Sequence, residues 1–237
     1  VISGNYCQHC GQKASIHRYS FKHFIEHDFI HGVWHVDKGV LYTIKQLFSR
    51  PGHAVREFIE GERARLFNFV TLIILILGIT ALMAPYIHIH LADLLPVETK
   101  ATMNEVDALS TKYPKLVVLI LIPIYSLFSW LWFRKANLNY SEHLVLNSYK
   151  TAAELIIGVA FSVITIFYTK IESLLVIYYV LVILGGLIYS VWFYSQFFSA
   201  YGYSKKASIL RAVMIPVSYL LLSVFIGIVF GIIKALG

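Results

Sequence analysis

The chain is 237 residues long, 58% hydrophobic and only 14% charged, with a mean hydropathy of +0.68. A soluble domain carries about 25% charged residues, so this deficit excludes an ordinary soluble globular protein. The net charge of +7 does not imply nucleic acid, because no basic run is interleaved with a stacking platform of aromatic side chains.

The N-terminal third is polar to mixed. No signal-peptide pattern opens it, and it starts at Val1 rather than Met, so further residues are expected upstream. Its first feature is Tyr6-Cys7-Gln8-His9-Cys10-Gly11-Gln12-Lys13. Cys7 and Cys10 are the only cysteines, which rules out a disulfide scaffold. A C-x-x-C followed by Gly reads as one knuckle of a structural zinc ribbon, the turn aiming both thiolates at one ion. Tetrahedral zinc needs four ligands. The missing pair is expected upstream of Val1, or else histidines such as His17 complete a Cys₂His₂ set; a reduced or redox-active thiol pair is the alternative. His23, His27, His31 and His35 follow at intervals of one helical turn. Adjacent members of such a ladder can chelate a metal, whereas a polar headgroup-facing stripe is the simpler reading. No H-E-x-x-H arrangement accompanies them.

Three short amphipathic helices are expected between residues 19 and 66. Ser20 caps the first, ending near Gly32, and Asp37 caps the second, with Val40, Leu41, Ile44, Leu47 and Phe48 apolar. Pro51 starts the third and Gly61 stops it. Helices this short are marginal alone, so they should lie on the membrane or against the ends of the spans. Arg50, Arg56, Glu57, Arg63 and Arg65 make the last of them and its exit rich in alternating charge. That pattern fits a surface for headgroups or a partner, or a plain capped surface helix.

From residue 67 onward apolar runs dominate, and five approach the roughly 20 residues a crossing needs. They are 67–87, 116–133, 152–168, 174–193 and 212–233. The gap of 169–173 makes the third and fourth a tight hairpin. Most of the 20 Lys and Arg fall on the side of the N-terminal segment, leaving Lys100, Lys112, Lys115, Lys170 and Lys234 opposite. This bias predicts a cytoplasmic N-terminus and an external C-terminus. Trp130, Trp132, Trp192, Tyr194, Tyr201 and Tyr203 fall where that topology puts the inner interface. The fold class expected is therefore all-α: three domains comprising a half zinc-ribbon knuckle at 1–18, cytoplasmic amphipathic helices at 19–66 and a five-helix transmembrane bundle at 67–237.

At the mouth of the third run stand Glu142 and His143, placed to shuttle a proton, with Lys150 and Glu154 one turn apart. An ionisable group inside a span is costly unless paired or wet, so these four form a candidate polar path, with a Lys150–Glu154 ion pair as the structural alternative.

The strings YCQHCGQK from Tyr6, DKGVLYTIKQLFSRPG from Asp37, EFIEGER from Glu57 and YSEHLV from Tyr140 together resemble an uncharacterised family of bacterial membrane proteins with an N-terminal zinc ribbon. The resemblance runs from Tyr6 to about Val145. It implies that Cys7 and Cys10 form the second knuckle, that structural zinc is the cofactor, and that the home is the bacterial inner membrane. The histidine ladder departs from the family pattern, and the family has no established activity.

Three functions compete. The first is a non-enzymatic subunit or scaffold, set in the lipid bilayer, that docks a protein partner or a second copy of itself through the knuckle and amphipathic helices. The second is a transporter of ions, small molecules or lipid along Glu142, His143, Lys150 and Glu154. The third is a membrane enzyme with a metal on the histidine ladder.

Overall fold

A computed structural model of the chain describes residues 39–87 and 112–236. Among them every regular element is helical. Helix α1 is Val40–Ser49 and α2 is Pro51–Glu60. Helix α3 is Phe69–Met83, closed by a 3-10 turn at Ala84–Tyr86. Helix α4 is Pro114–Trp132 and α5 is Tyr140–Phe167. Helix α6, Ile171–Ile177, passes through a π-helical stretch at Tyr178–Leu184 into α7, Gly185–Phe198. Helix α8 is Lys205–Leu236.

Four stretches are long and apolar enough to cross a membrane: Phe69–Tyr86, Tyr140–Phe167, Ile171–Phe198 and Lys205–Val229. Leu116–Trp132 is a shorter apolar helix. The chain is built as a multi-pass membrane protein, and all five expected runs fall on helices. The expected tight hairpin is present, with Tyr168 closing α5 and Lys170 opening α6. Helices α4 and α8 continue through Pro123 and Pro216.

The third span differs most from expectation. Helix α5 starts at Tyr140 rather than near residue 152. Its 28 residues extend about 42 Å, some 12 Å more than a hydrocarbon core of about 30 Å. The Tyr149 hydroxyl donates to the Phe67 carbonyl at 2.9 Å, so α3 begins level with Tyr149. The part of α5 before Tyr149 therefore lies outside the layer that α3 crosses, where α1 and α2 pack around it. Residues 141–153 are all buried. Polar helix covered by protein carries no apolar signature, which is why this extension was not apparent from hydrophobicity.

Helices α1 and α2 form a hairpin clamped to the bundle rather than a loose surface pair. The α1 cap position falls on Gly39, not Asp37, and carries no side-chain cap. Pro51 opens α2, and Gly61 closes it at φ 126°, its N–H donating to the Glu57 and Phe58 carbonyls. The expected apolar side of α1 divides: Leu47 is 0% exposed, whereas Leu41 is 80% exposed. The Thr43 hydroxyl accepts from the Phe67 N–H at 2.7 Å, and the Tyr189 hydroxyl donates to the Leu47 carbonyl at 3.1 Å. Tyr149 meets Phe58 and Phe69 edge to face.

The closest approach is at Gly52. A Cβ there would lie 2.3 Å from the Phe197 nitrogen and 2.4 Å from the Phe193 carbonyl oxygen. Both are backbone atoms of α7, so neither can turn aside. Gly52→Ala is expected to destabilise the docked hairpin by about 1–3 kcal/mol. Gly78 has open space around its Cβ position, so Gly78→Ala should be neutral or stabilising by up to about 1 kcal/mol. Thermal unfolding in detergent, with limited proteolysis across residues 39–61, distinguishes the two variants.

Candidate functional site

The polar face of α5 is the centre of the bundle. His143, Asn147, Lys150 and Glu154 follow at i, i+4, i+7 and i+11, the spacing of one helical face. Helices α4 and α7 turn polar atoms toward it. His143 Nδ1 lies 2.8 Å from Ser129 Oγ. The Asn147 amide donates to that same oxygen at 2.9 Å and to the His143 carbonyl at 2.8 Å. The Tyr194 hydroxyl donates to Asn147 Oδ1 at 2.5 Å. Ser126 Oγ, with one proton to give, lies 2.6 Å from the Ile122 carbonyl of its own helix and 3.1 Å from the His143 carbonyl.

Proton counting assigns the imidazole. Ser129 Oγ is also 3.1 Å from the Ser126 carbonyl, which can only accept. If its single proton goes there, the ring N–H is at Nδ1 and donates to Ser129. His143 Nε2 is then a buried lone pair with no protein partner. The ring stacks on Phe198 at 5.9 Å, so this nitrogen has apolar company.

One turn further along, Lys150 Nζ meets Glu154 Oε1 at 2.7 Å. The lysine side chain is 1% exposed and the glutamate 31%. The ammonium sits 4.0 Å from the centre of the Tyr125 ring and 5.9 Å from that of Tyr194. Tyr125 in turn stacks on Tyr219 of α8 at 4.9 Å. This cation is therefore held by one carboxylate and tyrosine faces, with the pair standing where α5 enters the layer crossed by α3.

Glu142 is not part of this face. It completes a capping box: the Asn139 side chain accepts from the Glu142 N–H at 2.9 Å, and the Glu142 carboxylate accepts from the Asn139 N–H at 2.7 Å. Its role is to satisfy the first turn of α5. Asn147, Ser126, Ser129, Tyr125, Tyr194 and Tyr219 were absent from the sequence-based set. Asn147 could have been found, because it fills the gap in the stripe between His143 and Lys150. Tyr194 reads as an interface residue in the sequence but is fully buried.

The charged residues of α2 turn inward to their own fold. Arg50 makes a two-pronged contact with Glu57, Nη1 to Oε1 at 2.9 Å with Nη2 on Oε2, and donates from Nε to Gln46 at 2.7 Å. The Arg56 guanidinium donates to the Gln196 and Phe197 carbonyls at 3.4 and 3.3 Å, on the last turn of α7. The Gln196 carbonyl also accepts from Ser199, and a cation complements the helix dipole at this end of α7. Arg65 projects from the connection between α2 and α3, which also carries Arg63. Cys7, Cys10, His17, His23, His27, His31 and His35 lie outside the described residues. Among the described residues no three His, Cys, Asp or Glu side chains converge as a metal site.

His53 of α2 gives this clamp a pH dependence. Arg56 donates to its Nδ1 at 3.1 Å, so that nitrogen must be unprotonated. Burial, and then the charges of Arg56 and Arg50, lower its pKa from 6.5, with Glu57 opposing. A base depressed in the folded state contributes stability above its unfolded pKa and loses it as pH falls. Melting temperature in detergent should thus fall between about pH 7 and pH 5 more steeply in the wild type than in His53→Gln. Equal slopes would remove His53 from the clamp's acid response.

No curated protein and no solved structure matches the chain. Residues 37–80, which span α1, α2 and most of α3, match a family described as a protein of unknown function (DUF3667). In that segment the chain is similar to an uncharacterised family.

Proposed function

We propose that the chain is a non-enzymatic bacterial inner-membrane subunit or scaffold that docks a protein partner through its N-terminal segment. Five helices cross in this reading, α4 being the short one, with the N-terminus inside and the C-terminus outside. Cys7 and Cys10 supply two of the four ligands of a structural zinc in this reading. The observation that carries the reading is the clamp: α1 and α2 are pinned to the entry of α3 by the Thr43–Phe67 hydrogen bond, to α5 by the Phe58–Tyr149 ring contact, and to α7 by Gly52 and Arg56. A segment fixed in this way gives the chain that precedes Gly39 a fixed point of attachment to the bundle. The matched family segment, 37–80, coincides with one side of that clamp. Arg50, Arg56 and Glu57 hold the clamp together, so recognition falls to the knuckle, Arg65 and the outer face of α1.

Purification of the full chain in mild detergent, with mass spectrometry of co-eluting proteins and zinc measured in the same sample, tests this. The expected result is a stoichiometric partner and about one zinc per chain, both lost in a Cys7→Ser, Cys10→Ser variant. A solitary chain recovered from native membranes overturns it.

A second reading, transport of an ion or small molecule, is favoured by the buried Lys150–Glu154 pair, since ionisable groups at membrane depth mark pathways. Glu154→Gln is then expected to abolish flux in proteoliposomes while the chain still folds. Flux equal to wild type removes the pair from any pathway.

A further inference from the structure

The exit of the helical hairpin forms a shallow cleft whose walls are charged in both signs. It lies between α1, α2 and the 61–68 connection, and is lined by Tyr42, Gln46, Arg50, Glu57, Glu62 and Arg65 among others. Every residue lining it falls within the segment that matches the family, 37–80.

The two charged pairs differ in how they are used. Arg50 and Glu57 are locked to each other and to Gln46, and form a rigid floor. Glu62 and Arg65 are both exposed, and neither carboxylate nor guanidinium has a protein partner among the described residues. One free cation and one free anion thus flank a neutralised pair. An anion alone would gain Arg65 but face Glu62, and a cation alone would meet the reverse. A zwitterion carrying phosphate at one end and ammonium at the other satisfies both.

The level of the cleft selects the source of that zwitterion. Thr43 on α1 accepts from Phe67, and Phe67 accepts from Tyr149, so the cleft stands where α3 begins its crossing. That is headgroup height. Apolar surface leads away from it: Leu41, beside Tyr42, is 80% exposed, and exposed Phe48 packs on Tyr189 of the α6–α7 span at 5.8 Å. An exposed, largely apolar face of α1 therefore adjoins the cleft.

We propose that this cleft binds the headgroup of a phosphoethanolamine lipid, phosphate on Arg65 and ammonium on Glu62. The Tyr42 ring and the Arg50–Glu57 floor fix its position. A primary ammonium suits the site because its protons can be donated to a carboxylate, which a quaternary ammonium lacks. The site uses Arg65 and the outer face of α1, which the docking reading also assigns to recognition, so lipid and partner compete for that face, whereas lipid retention by the purified chain reads lipid alone.

The test offers the detergent-purified full chain an equimolar mixture of phosphatidylethanolamine, phosphatidylcholine and phosphatidylglycerol, and reads bound lipid by native mass spectrometry. Phosphatidylethanolamine is expected to be retained over the other two by about tenfold, and an Arg65→Ala, Glu62→Ala variant is expected to lose that preference. Equal retention of all three lipids by the wild type overturns the proposal without reference to any variant, as does an unchanged preference in the double variant. Water-soluble competitors separate the headgroup from a bare phosphate: glycerophosphoethanolamine is expected to displace the lipid and glycerol phosphate is not. Displacement by both to the same extent overturns the zwitterionic assignment.

Discussion

Neither lipid nor a packed protein interior offers water, so a helix carrying His143, Asn147, Lys150 and Glu154 along one face can be buried in the bundle only where its neighbours receive that face. Helix α4 supplies Ser126, Ser129 and Tyr125, and α7 supplies Tyr194. Helix α8 is recruited through the Tyr125–Tyr219 stack and through the Trp132 indole, which donates to Ser218 at 3.0 Å. Each contact admits one rotation of the helix that makes it. Apolar packing between such helices is permissive, because lipid chains are as apolar as leucine. The polar face is what makes α5 central and sets the register of the others.

The Lys150–Glu154 pair shows why specificity rather than net stability is the gain. Desolvating an ion costs several kcal/mol. Attraction at close range recovers about 4 kcal/mol at the effective dielectric of such sites, and a buried cation–π contact adds about 2. Glu154 is partly exposed, which reduces the first of these further. The sum is near break-even for the correct arrangement. Any misregistration that separates the ammonium from Glu154 and Tyr125 keeps the cost and forfeits the return. The pair therefore penalises wrong structures more than it favours the right one.

How much was legible follows from where the solvent changes. The five apolar runs could be read directly because lipid-facing helix is uniformly hydrophobic. The Lys150–Glu154 pair could be read from i, i+4 spacing. The first turns of α5 could not, because a helix wrapped in protein is allowed the composition of a loop. Asn139-x-x-Glu142 is a capping-box spelling and announces the start of α5, yet the adjacency of Glu142 and His143 invites a chemical reading instead. The π-helical stretch at Tyr178–Leu184 has no distinguishing composition, and the intolerance at Gly52 belongs to the backbone of α7, far away in sequence.

The hairpin of α1 and α2 connects these two regimes. Its own sequence describes a marginal amphipathic pair, and its permanence comes from receptors elsewhere in the chain. Tyr149 offers its ring to Phe58, Tyr189 its hydroxyl to Leu47, and the Gln196 side chain takes the Gly52 N–H at 3.2 Å. Arg56 returns the favour at the Gln196 and Phe197 carbonyls in the last turn of α7. The exchange is reciprocal: an open helix N-terminus on α2 is met by a side chain of α7, and an open C-terminus on α7 is met by a side chain of α2. Two helix ends that would each need water are satisfied by one another, so separating the hairpin from the bundle exposes both at once. That coupling makes the segment from Gly39 to Leu66 part of the membrane domain in energetic terms, although its composition places it outside.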